Sequence, residues 1–295
     1  MNTTVIVLLS ALSLVALAFI WRWWAIERAR RKGESKPITL FDTIVGFFTN
    51  FLDTLGIGSF ATTTSFYKLR KHVADENIPG TLNVGHALPT VTQALVYIAI
   101  IQVGALTLVS MIVAAVAGAW FGAGVVTRLP RRAIQIGMGV ALLVAATIFV
   151  AVNLEALPGG GTALELTDAR LMIGVAVNFL LGALMTLGIG LYAPCLISVS
   201  LLGMNPQAAF PIMMGSCAFL MPTAGIKFIK PSRYDLRAAL GLAIGGIPGV
   251  LIAAFIVKSL PIEYLRWLVV IVVLYAALAM LRSAMNEPRR ELATP

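Results

Sequence analysis

Thr54-Leu55-Gly56-Ile57-Gly58 recurs 132 residues later as Thr186-Leu187-Gly188-Ile189-Gly190, and Phe47 is matched by Phe179 at the same shift. Leu88-Pro89-Thr90 returns as Met221-Pro222-Thr223 at a shift of 133, and Gly118 and Leu129-Pro130 return as Gly249 and Leu260-Pro261 at 131. One short match among apolar residues is chance; three in the same order at nearly constant spacing are a duplication. The chain therefore divides into an N-terminal helix with a basic linker (1–40), a first half (41–152), a linker (153–169), a second half (170–283) and a tail (284–295). Each half opens with a Gly-interrupted segment, 41–66 or 171–201, and continues into three ordinary apolar spans. These are 80–98, 105–127 and 132–151 in the first half, and 207–226, 236–257 and 264–281 in the second.

Of the 295 residues, 59% are hydrophobic and 12% charged, about half the ~25% charged fraction of a soluble domain. No Asp, Glu, Lys or Arg lies between Glu76 and Arg128, or between Arg170 and Lys227. Uncharged apolar runs of about 18 or more residues are membrane spans, which excludes a soluble enzyme, a nucleic-acid reader and a disordered chain. The net charge of +9 then reports membrane orientation, and nucleic acid is not an expected partner. Thr4–Trp24 is an apolar run with no base before it, closed by Trp21, Trp23 and Trp24, and the bases Arg28, Arg30, Arg31, Lys32 and Lys36 come after it. A secretory signal has its charge first, so this segment reads as a retained helix entering from outside. Cys195 and Cys217 lie in apolar runs and read as small packing residues, not as a disulfide or metal site. Neither a metal nor a cofactor is expected, and no nucleotide-binding glycine pattern is present.

Lys and Arg placement decides whether the Gly-interrupted segments cross the bilayer or dip in and return. If they return, 19 of the 22 bases fall on one side, leaving Arg170, Lys258 and Arg266 on the other. If they cross, the split becomes 14 against 8. The expectation is an all-α polytopic membrane protein: one N-terminal helix and two inverted-topology repeats, each a broken re-entrant segment and three transmembrane helices. Seven full spans put the N-terminus outside and the C-terminus in the cytoplasm.

Glycine costs a helix about 1 kcal/mol relative to alanine, and broken backbone at membrane depth survives only against protein or a water-filled cavity. Paired broken segments in inverted repeats point to a transport site near the midplane. Each resuming helix can offer free N–H groups and its positive dipole end to an anion. The alternative is that Gly-x-Gly only lets two helices pack closely. The candidate binding residues are Asn50, Thr54, Gly56, Gly58, Ser59, Asn83 and Thr90 in the first half, and Thr186, Gly188, Gly190, Tyr192 and Thr223 in the second. Thr62, Thr63, Thr64 and Asn178 are further polar neighbours.

Asp53 and His86 are the candidates for proton coupling. A carboxylate at membrane depth costs about 2.5–3.5 kcal/mol to insert, and an unperturbed imidazole titrates near neutral pH. The structural alternatives are a carboxylate capping the broken backbone and a packed, hydrogen-bonded neutral histidine. Their counterparts in the second half are Met185 and Phe219, so the halves diverge at both positions. Lys227 either snorkels to the cytoplasmic interface or first contacts an anion.

The two halves, each with an apolar helix broken at a Gly-rich turn, a Pro-bearing span and a Leu-Pro before the last helix, resemble the TauE/SafE sulfite exporter family over about 41–283. The resemblance implies export of a small sulfur-containing anion across a bacterial inner membrane, either sulfite or a sulfonate such as sulfoacetate. Membrane lipid is then the only other implied partner, and the oligomeric state is not legible. The glycine run at each break is shorter than in many members, which leaves the substrate open. The function expected is secondary transport by alternating access. Alternatives are an anion channel and an intramembrane enzyme using Ser59 with His86, or the two cysteines.

Overall fold

The computed structural model describes residues 3–30, 37–126, 131–154, 156, 161–185, 190–259 and 262–286. Thr186, Gly188, Leu129-Pro130, Leu260-Pro261, the bases Arg31, Lys32 and Lys36, and most of the tail lie outside the described residues. Among the described residues there are twelve α-helices, two short 3-10 turns and one isolated bridge between Ala163 and Met204. The helices are α1 (Thr3–Arg30), α2 (Leu40–Thr54), α3 (Ser59–Arg70), α4 (Ile78–Gly85), α5 (Ala87–Ile100) and α6 (Ala105–Val126) in the first part of the chain. They continue as α7 (Arg131–Asn153), α8 (Asp168–Met185), α9 (Tyr192–Leu201), α10 (Ala209–Ile229), α11 (Leu236–Ser259) and α12 (Ile262–Asn286). Among the described residues, five stretches, in α1, α8, α10, α11 and α12, are long and apolar enough to cross a membrane.

The span expected as one helix over 80–98 is instead two, α4 and α5, interrupted at His86. Pro89 weakens the helix there: it has no N–H, so the Gly85 carbonyl loses its donor four residues on. The bonds on either side persist, His86 N–H to Leu82 O at 3.0 Å and Thr90 N–H to His86 O at 2.9 Å. Pro222, its counterpart, sits inside an uninterrupted α10.

Each broken segment is a helical hairpin whose two outer ends meet. At 15 and 12 residues, α2 and α3 are about 22 and 18 Å long at 1.5 Å per residue, short of a ~30 Å hydrocarbon core. Asp42 in the first turn of α2 accepts from the Tyr67 hydroxyl, in the last turn of α3, at 3.3 Å and from His72 Nε2, just past that helix, at 2.8 Å. Arg237 of α11 completes the cluster, its Nε 3.8 Å from Asp42 Oδ2. The second hairpin closes through other loops: a side chain at Gly174 of α8 would meet Leu166 and Leu202, and one at Gly203 would meet Arg170. Leu166 N–H bonds to Thr107 Oγ1 at 2.9 Å and Asn205 N–H to Ala163 O at 2.8 Å, stitching the linker to that end.

The helices pair crosswise. The most extensive packing is of α2 on α11, α8 on α6, α7 on α12 and α5 on α10. Residues matched by the duplication make matched contacts. A Cβ at Gly249 would overlap the Phe47 carbonyl, and a Cβ at Gly118 would overlap the Phe179 carbonyl. Backbones this close need glycine, as small-residue contacts between membrane helices do.

Helix α1 runs six residues beyond Trp24 and lies on the outside, with 11% of its apolar window buried. Trp21 and Trp24 are 64% and 55% exposed, as interfacial aromatics are. Trp23 turns inward and donates to the Tyr234 hydroxyl at 2.9 Å, which donates to Glu27 at 2.7 Å. Burial holds the Tyr234 phenol above its ordinary pKa, so it stays a neutral donor. Most of α10 is buried, and it forms the centre of the bundle.

Candidate functional site: a buried polar chain between the broken helices

The break in the first half is built by its two glycines. Gly56 N–H bonds to Asp53 O at 2.8 Å and Ile57 N–H to Leu52 O at 3.1 Å, the paired bonds of a Schellman motif with glycine at the left-handed position. Gly56 has φ +97° and Gly58 φ +89°. A Cβ at Gly58 would meet nothing within 4 Å, and one at Gly56 only Val272 at 3.4 Å. These glycines serve backbone conformation, not close packing. Gly190, the counterpart of Gly58, is exposed.

Asp53, in the last turn of α2, reaches across the break. Its Oδ1 accepts the backbone N–H of Ser59, the first residue of α3, at 2.6 Å. A carboxylate is favourable at a helix N-terminus, and Asp53 closes this end of the broken segment itself. Its Oδ2 accepts from Gln93 Nε2 at 2.9 Å. Gln93 Nε2 also donates to Thr54 Oγ1 at 3.0 Å, and Gln93 Oε1 accepts from the Tyr192 hydroxyl at 2.7 Å. Three successive hydrogen bonds thus join the first residue of α3 to the first residue of α9. Thr90, one turn before Gln93 on α5, stands beside the same phenol.

A second branch runs back along α2. Thr54 Oγ1 donates to Asn50 O at 2.8 Å, and Asn50 Nδ2 donates to Gly46 O at 2.7 Å. Asn50 Oδ1 is then the acceptor for His86 Nδ1 at 3.1 Å, which leaves His86 Nε2 to accept from the Thr63 hydroxyl at 3.0 Å. Both imidazole nitrogens are used with one proton, so the neutral ring satisfies the site. Asn50, Thr54, Thr63, His86 and Gln93 are all completely buried.

Other candidates stand apart. Asn83 bonds to the Pro79 carbonyl of its own helix, and Thr223 is exposed and bonds to Leu220 O. Asn178 is buried but bonds to Met111 O and Ser216. Thr62 bonds within α3, and Thr64 makes none of these links. Lys227 lies 5.0 Å over the Trp120 ring. Cys195 and Cys217 are free and buried, Cys217 facing the Met185 sulfur at 3.5 Å.

The sequence reading missed Gln93, which holds the chain together. Its signal was modest: an amide in an apolar run, three residues after Thr90. Tyr97, one turn further along α5, was missed as well. It stacks on Phe210 with centroids 5.3 Å apart, and its buried hydroxyl has no hydrogen-bond partner among the described residues.

A family model described as Sulfite exporter TauE/SafE matches residues 2–149 and 170–295 of the chain. The match takes in α1, outside the range over which the sequence resemblance was drawn. No curated protein and no solved structure matches.

Proposed function

This chain belongs to the TauE/SafE sulfite exporter family, a family of membrane transporters, and on that premise we propose that it is a secondary transporter exporting sulfite or a small sulfonate such as sulfoacetate. The observation that carries the site is the polar chain from Ser59 through Asp53 and Gln93 to Tyr192, buried where the two broken segments approach each other. The anion binds on the second-half side of that chain, against Tyr192, Thr90 and the unpartnered Tyr97 hydroxyl. Thr186, Gly188 and Gly190 are the sequence counterparts of Thr54, Gly56 and Gly58 and join the proposal on that ground. On the first-half side Asp53 already occupies the end of α3, and its charge keeps an anion away while it is ionised.

Two facts support reading the halves as inverted repeats in a bacterial inner membrane with the N-terminus outside. The first hairpin closes beside residues 72 and 237 and the second beside 166 and 203, and the basic residues cluster at the first of these ends. The helices also pair across the halves in matched fashion. Asp53 is the proton-coupling group; His86, with both nitrogens engaged, holds α3 to α2. Flux of sulfite and sulfoacetate in proteoliposomes tests the substrate class. Flux of either, changed by an imposed pH gradient, supports it; no flux of either, with or without the gradient, overturns it.

A further inference from the structure

We infer that Gln93 is a positioning residue that transmits the protonation state of Asp53 to the Tyr192 hydroxyl, freeing that hydroxyl for the transported anion when Asp53 takes up a proton. The inference rests on the transport reading above and adds how the proton and the anion are linked.

The hydrogen-bond roles in the cluster are forced. An ionised carboxylate only accepts, so the Gln93 amide must present its NH2 to Asp53 Oδ2, 2.9 Å away. Thr54 imposes the same orientation, because its own proton is committed to Asn50 O and its oxygen can only accept from Gln93 at 3.0 Å. With the NH2 so placed, Oε1 faces Tyr192 and takes the phenol's proton in a 2.7 Å bond. While Asp53 is ionised, the Tyr192 hydroxyl is therefore spent inside the protein.

Protonation reverses each role. A neutral Asp53 carries an O–H that must donate, and a donor facing the Gln93 NH2 is unpaired in a buried site, which is costly. A half-turn of the amide resolves this at the loss of the bond to Thr54. Oε1 then accepts from Asp53, and Nε2 donates to the Tyr192 oxygen. The phenol has become an acceptor from Gln93, and its proton turns outward to a new acceptor, the incoming anion. Removing the Asp53 charge also removes the repulsion that an anion meets there. Proton and anion are thus taken up together.

The groups facing this relay leave the charge change to Asp53. Ser59 faces it from α3, Tyr192 and Cys195 from α9, Cys217 from α10 and Tyr97 from α5. His86 lies beyond Asn50, and α12 presents Val272 to the turn. Asp53 makes no ion pair among the described residues. In the second half the matching residues are Met185 for Asp53 and Ile226 for Gln93, and Tyr192 matches Phe60, so the relay exists once.

The test is sulfoacetate binding to the purified full-length protein from mildly acidic to mildly alkaline pH. The wild type binds more tightly at acid pH. Tyr192→Phe loses about tenfold in affinity at acid pH, the worth of one hydrogen bond to a charged group, and little at alkaline pH. Gln93→Leu, or Gln93→Met if the first does not fold, keeps only the part of the pH dependence that the Asp53 charge imposes directly and binds with a shallower slope than the wild type. A Gln93 variant that keeps the wild-type slope overturns the proposal. Infrared difference spectra between acid and alkaline pH give a readout that needs no substrate. A tyrosine band absent from Tyr192→Phe changes together with the Asp53 carboxyl band in the wild type, and stays constant in the Gln93 variants. If the two bands still move together without Gln93, the relay is wrong. If the wild type shows the coupled bands but binds neither sulfoacetate nor sulfite, the relay stands and the substrate reading fails.

Discussion

Asp53 does two things that separate cleanly by substitution. It caps α3 through the Ser59 N–H at 2.6 Å, and it carries the buried charge. Asp53→Ala loses both, and the cap alone accounts for about 1 kcal/mol, visible as a lower melting temperature. Asp53→Asn keeps an acceptor for Ser59 and turns the Gln93 amide over as a protonated Asp53 does, so it is expected to melt above Asp53→Ala, while flux loses its dependence on a pH gradient. If that dependence survives in Asp53→Asn, the coupling role is wrong. His86 gives the opposite pattern. Thr63→Val removes the donor to Nε2 and leaves a buried acceptor unpaired, at about 1–3 kcal/mol. Melting falls and the pH dependence of flux remains. The geometry has Asp53 capping α3 and His86 buried with both ring nitrogens hydrogen-bonded, and for Asp53 capping and coupling are compatible. The spacing of Asp53, Thr54 and Gly56 was legible along the chain. Gln93 was not, because an amide in a helix carries no periodic signal of what it faces.

The helical elements were legible because their signals are local. Long uncharged runs and recurring Gly-x-Gly breaks placed most helices close to their observed positions. His86 is the exception: a proline inside an apolar run is either carried within a continuous helix, as Pro222 is, or stands beside a break, as Pro89 does, and only the surrounding packing selects between them. The glycines separate into classes with opposite expectations. Gly58→Ala forces a left-handed φ on a side chain, costing about 1–2 kcal/mol although space is open. Gly118→Val and Gly249→Val drive a side chain into a facing carbonyl and are expected to abolish stable folding, with Gly137→Ala, which meets nothing within 4 Å, as the neutral control. Expression and thermal melts of this set distinguish conformational from packing glycines.

At the scale of the whole molecule, the question is how the two halves face the membrane. Both native cysteines are buried, so an introduced thiol reports its own side. Lys230→Cys is expected to react with an impermeant reagent only from the cytoplasmic face, and Thr167→Cys only from outside; labelling of both from one side overturns the inverted arrangement. The sequence by itself determined the membrane class, most of the helix positions and the residues at the first break, and it carries the repeated motifs. Hydropathy and repeated motifs are written along the chain and need no knowledge of neighbours. Tertiary structure alone decided which polar groups meet. Gln93 finds Asp53 across 40 residues and Tyr192 across 99, and such partners are selected by the requirement that every buried donor and acceptor be satisfied in three dimensions. The same requirement let Asp53 fill the end of α3, an end that the sequence alone left open to an anion.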